Sequence, residues 1–126
     1  KVRWGSSAPP TRRESAPQGV QTTDGTTTTA GVVTLEEGST HAMIVRAMGK
    51  VVATGVVLIE SWMVSAKRAG AGAVVEDQQR LSTAGAGAWT IAFDASGNDV
   101  RCRVTGAGGT TIVWDVHFDS FYRVRT

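Results

Sequence analysis

Between Trp89 and Phe118 the chain alternates apolar and polar side chains almost without a break. Trp89, Ile91 and Phe93 share one side, with Thr90, Ala92 and Asp94 on the other. Val100, Cys102 and Val104 then alternate with Arg101 and Arg103, and Ile112, Trp114, Val116 and Phe118 with Val113, Asp115 and His117. A period of two is that of a strand with one buried face. The turns fall at Ser96-Gly97 and in "TGAGGT" at 105–110. The pattern predicts three strands on one core, the last two forming a hairpin. Upstream, residues 31–49 read as two strands split at Glu37-Gly38, and 56–67 as one long strand. "AVVEDQQRLST" suits a short strand or one helical segment, and its neighbours favour the strand. Short strands joined by glycine turns predict an all-β domain over residues 26–126: an antiparallel β-sandwich, jelly-roll-like, or a small barrel.

Residues 1–25 break the pattern. "GSSAPPTRRESAPQG" holds all three prolines and several serines, and a threonine-rich run follows it. Such a segment buries too little apolar surface to offset its ordering entropy. It reads as an extended Pro/Ser/Thr-rich arm or linker that orders only against another chain. Val2 and Trp4 are the apolar anchors at its start and are expected to contact a partner.

Composition narrows the classes. At 126 residues, 41% hydrophobic and 19% charged, the chain can bury one core. The net charge of +2 comes from scattered basic residues, with no run of them interleaved with aromatics, so nucleic acid is not an expected partner. Cys102 is the one cysteine and sits at an apolar strand position, where a thiol packs as a small hydrophobe. No apolar run approaches a membrane span in length, and no insertion is expected. The chain starts at Lys1, which suits processing or excision from a longer polypeptide.

Candidate chemistry is sparse. Asp115, His117 and Asp119 share a strand face at spacings of about 7 Å. An Asp-x-His pair can chelate a metal, but a site needs three or four converging ligands, and solvated outer-face residues are the expected reading. The G-x-G triplets at 70–72 and 106–108 are followed by strand, not by the helix that would hold a pyrophosphate. Glu36-Glu37 and Glu76-Asp77 are adjacent pairs whose side chains diverge on a strand, unlike the facing carboxylates of acid–base catalysis. No catalytic residue, cofactor or metal is expected. Of the four tryptophans, Trp89 and Trp114 belong to core faces. Trp62 is a further partner-contact candidate, because "VVATGVVLIESWMVSA" is apolar on both strand faces.

The segment "AWTIAFDASGNDVRCRVTGAGGTTIVWDVHF" resembles the C-terminal β-rich domains of tail fibres and other tail-associated virion proteins of tailed bacteriophages. The likeness rests on Trp89 at a strand start, on Val104-Thr105-Gly106 before a glycine-rich turn, and on Thr111-Ile112-Val113-Trp114-Asp115-Val116. "SWMVSAKRAGAG" upstream is similar to the strand and small-residue turn before that unit. The likeness covers residues 40–118 and is strongest after 88. It implies a non-enzymatic virion structural module, a tail-fibre or tail-tip element for assembly or host attachment. It also implies association with other virion proteins and self-association, with a homotrimer favoured. Two alternatives stand beside it: a head or tail decoration protein that clamps neighbours with its N-terminal arm, and a carbohydrate-binding module for host surface polysaccharide.

Overall fold

The structure, a computed structural model, describes residues 11–70, 72–85 and 89–124. Among these described residues nine strands run in order: β1 (Thr11–Glu14), β2 (Gln18–Thr22), β3 (Thr28–Thr34), β4 (Ser39–Val51), β5 (Val57–Arg68), β6 (Ala73–Gly85), β7 (Thr90–Ser96), β8 (Asp99–Thr105) and β9 (Ile112–Val124). The large sheet has the order β1-β9-β4-β5-β6, with β2 also paired to β9; the small sheet is β3-β8-β7. Every pairing is antiparallel. The molecule is an antiparallel β-sandwich.

The alternation read from sequence sets which side chains go inside. Met43, Val45 and Ala47 of β4, Val64 and Ala66 of β5, and Ile112, Trp114, Val116 and Phe118 of β9 point from the large sheet into the core. Ile91, Phe93, Val100, Cys102 and Val104 meet them from the small sheet, with Trp89 half-buried against the same cluster. Trp89, Ile91, Phe93, Val100, Cys102, Val104, Ile112, Trp114 and Val116, expected on one core, therefore share it. The expected hairpin between the last two strands does not form. β8 pairs with β3 and β7, whereas β9 pairs with β1, β2 and β4. The glycine-rich connection crosses from one sheet to the other, so the two apolar rows face each other across the core instead of lying side by side. Alternation fixes which face is buried but does not distinguish pairing from facing. The 73–85 segment is a strand, with register shifts opposite Ser61/Trp62 and Ser65/Ala66.

The expectation that the N-terminal segment orders only against another chain is corrected for residues 11–22. Thr11–Glu14 and Gln18–Thr22 pair with β9 of their own chain. The Thr22 hydroxyl lies buried in the core and accepts the indole N–H of Trp114 at 3.0 Å. Val20 packs on the core as well. Backbone pairing along β9 supplies hydrogen bonds that the segment's composition does not advertise.

Two glutamines close the edges of the small sheet. The Gln18 side chain donates to the Val32 carbonyl (2.9 Å) and accepts from the Val32 N–H (3.0 Å) on β3. Gln78 of β6 does the same with Phe93 of β7 (2.9 and 3.0 Å). Each amide, carrying donors and an acceptor, stands in for one residue of a missing neighbouring strand. On β4, Gly49 is required by close approach: a Cβ there would lie 2.7 Å from the Trp114 ring.

Candidate functional site

The two faces of the large sheet differ sharply. The inner one is the core. On the outer one, Met48, Ile59, Met63 and Phe121 are exposed, Phe121 at 56%, Ile59 at 46% and Met63 at 45%. Cross-strand register brings them together. Met48 stands opposite Ile59, Ile44 opposite Met63, and Ala42 opposite Phe121. Sequence reading finds this face through the doubly apolar β5, whose Ile59 and Met63 lie opposite in phase to the inward Leu58 and Val64. Phe121 falls beyond the alternating stretch that defined the last strand, and β9 runs further than expected, to Val124.

Phe121 separates two hollows. One, of about 350 Å³, is floored by Ala42, Ile44 and Met63 and rimmed by Arg12 and Asp119. The other, of about 420 Å³, lies toward Thr40, Ser65 and Arg123. Arg12 of β1 donates to both oxygens of Asp119 (3.1 and 2.9 Å), and this holds the Asp119 carboxyl below the usual carboxylate range. Asp115, His117 and Asp119 thus lie on the outer face of β9 as read. No group of three His, Cys, Asp or Glu placed to hold a metal occurs among the described residues.

Trp62 is turned inward. Its ring meets Phe93 edge-on at 5.5 Å, and its N–H donates to Glu60 Oε1 at 2.9 Å. Val2 and Trp4 lie outside the described residues. Glu60, an acidic residue at an inward β5 position, also takes longer contacts from Arg80 and Thr83, each at 3.4 Å. With burial as the larger cause, the Glu60 charge pushes the Cys102 thiol up to about 12, so Cys102 is a protonated core residue at neutral pH.

A buried polar cluster sits at one end of the sandwich. His41 occupies an inward β4 position between Ser39 and Ser120, stacked on Tyr122 at 4.5 Å. The Ser39 hydroxyl donates to the Glu36 carbonyl (2.6 Å), so it accepts from His41 Nε2–H (3.0 Å); Nδ1 then accepts from the Ser120 hydroxyl (2.6 Å). Glu36 Oε1 lies 3.4 Å from His41 Nε2, and Arg13 pairs with Glu36 Oε2 at 2.6 Å while resting 5.1 Å over the Tyr122 ring. Burial, the largest cause, lowers the His41 pKa despite Glu36, and Arg13 lowers it further. Serine, histidine and carboxylate lie in a row, but the Ser120 residue is 1% exposed and faces the core. A nucleophile must reach its substrate, so this cluster fastens β1, β4 and β9 together.

At the other end, Val51, Val52, Thr54, Val56, Trp89 and Thr111 line an apolar cup of about 670 Å³. Its two turns are tied by the bond from Val52 N–H to the Thr111 carbonyl (3.1 Å).

No family model matches the chain, and no curated protein matches it. Among solved structures, the fold is similar to part of the Acinetobacter phage vB_ApiP_P1 tailspike protein, at a TM-score of 0.50 and 13% identity, over 99% of this chain and 24% of that one. The Acinetobacter baumannii phage AM24 tailspike protein aligns at a TM-score of 0.46 and 9% identity, over 89% of this chain and 26% of that one. The chain therefore spans about a quarter of the length of either tailspike chain.

Proposed function

We propose that the chain is a structural module of a tailed-bacteriophage virion, placed in the tail, where it serves assembly or host attachment without catalysing a reaction. The observation that carries this reading is the exposed apolar outer face of the large sheet, centred on Ile59, Met63 and Phe121. An apolar patch on an ordered sheet is the usual mark of a contact with another subunit. The fold shared with the vB_ApiP_P1 tailspike and the sequence resemblance to tail-fibre domains direct the reading to the tail. The sequence resemblance alone favours a homotrimer. The inward seat of Ser120 supports a non-enzymatic role.

Solution mass tests this at micromolar concentration. The full chain is expected as a trimer, and the double variant Ile59→Lys, Met63→Lys as a monomer with unchanged strand content by circular dichroism, since both side chains are exposed on the single chain. A wild-type monomer at tens of micromolar would sink the self-association. Antibody labelling that marks heads and not tails would move the protein to the decoration role.

The cup around Trp89 favours a second reading, contact with a host surface glycan. A half-buried indole beside threonine hydroxyls can stack an uncharged sugar ring. Titration with uncharged oligosaccharides, followed by tryptophan fluorescence, would show a shift that Val52→Asp removes. Its absence across such a panel would end this reading.

A further inference from the structure

The outer face has an occupant that the chain itself can supply. β1 runs antiparallel to β9, with Glu14 opposite Asp119 and Thr11 opposite Tyr122. The N-terminal end of β1, at Thr11, therefore lies at the end of the large sheet where Phe121 stands between the two hollows. The sequence before Thr11 reads "KVRWGSSAPP", in which Val2 and Trp4 are the large apolar side chains. We propose that the hollows beside Phe121 receive the Val2–Trp4 segment of a neighbouring copy. This rests on the self-association proposed above and names what one part of the contact face holds.

Two observations select a neighbour over the same chain. The first is direction: the described backbone points away from its own Phe121. The second is the Pro9-Pro10 pair, which disfavours helical or sharply turned backbone at Ala8 and Pro9. A return to the chain's own face must therefore begin beyond that pair. Reach permits the contact: seven links separate Thr11 from Trp4, roughly 23–25 Å when extended. The chemistry suits the anchors. Ala42, Ile44 and Met63 floor the first hollow, and a methionine beside an indole is a favourable contact.

A photo-crosslinking experiment on the full chain tests this. Trp4 is replaced by benzoylphenylalanine, and isotopically heavy and light copies are refolded together before illumination. The expected product joins position 4 of one copy to the peptide around Met63 or Phe121 of the other isotope class, and Met63→Lys lowers its yield at least tenfold. Two results would overturn the proposal while leaving self-association standing: an assembly of normal mass whose crosslinks join like isotopes alone, or one whose crosslinks fall elsewhere. A chain that stays monomeric by mass would remove both the self-association and this contact.

Discussion

His41 shows how one side chain can set a pH limit. Its folded pKa lies below the ordinary value of about 6.5. The stability it confers is therefore complete above about pH 6.5 and is lost as the pH falls through the folded pKa. Glu36 moderates the loss and Arg13 deepens it. We expect the melting temperature to decline between pH 7 and 5 before the carboxylates titrate. Asp94, bound by Arg101, and Asp119, bound by Arg12, both have lowered pKa values, so their contributions are lost only below about pH 4. A His41→Asn variant should melt lower overall and lack the upper step; an unchanged profile would contradict the assignment. Cys102 gives a second readout. With its thiol raised to about 12, reaction with iodoacetamide at pH 8 should run on the order of a thousandfold slower than for a free cysteine, until denaturant is added. Trp114, fully buried with its N–H bonded to Thr22, should cost about 3–5 kcal/mol on truncation to alanine, read from denaturant unfolding.

At the scale of the strand, the edges reveal most about design. Of the four sheet edges among the described residues, three carry a device: β1 and β2 along β9, Gln18 along β3, and Gln78 along β7. Gln18→Ala and Gln78→Ala should each destabilise by about 0.5–1.5 kcal/mol, because water can partly replace the amide at these accessible sites. Amide exchange should rise at Val32 in the first variant and at Phe93 in the second. No such local change would mean that the bridges are not formed in solution. These clamps were not legible in the sequence, since a glutamine on a strand announces nothing about the edge it will reach. The strands themselves were legible, because Val100, Cys102 and Val104 alternate with arginines that a core rejects. Their partners were not. Period-two patterning gives each strand a face but no neighbour, which is why β8 and β9 read as a hairpin. The outer face was half legible: Ile59 and Met63 announced it, whereas Phe121 became part of it only through the pairing of β9 with β4.

For the whole molecule, the position of β9 has a consequence for how the chain comes to be folded. The strand made last among those described lies inside the large sheet, joined on one side to β4 and on the other to β1 and β2. Thr22 meets Ile112, and Thr11 meets Tyr122, so the earliest strands find their partners only after almost everything between them has been synthesised. Until then β1, β2 and the open side of β4 have no partner among the described strands. Pairings this distant in sequence make folding slow, in the range of milliseconds to seconds for β-domains of this kind. Stopped-flow refolding followed by tryptophan fluorescence should show it, and completion within microseconds would argue against the topology. On the ribosome the sandwich should stay sensitive to protease until β9 has left the exit tunnel. A nascent chain halted at Thr111 should be digested as readily as an unfolded one, while one extended well beyond Val124 should resist. Emergence of a single strand would then act as the timer that decides when the rest of the chain can close.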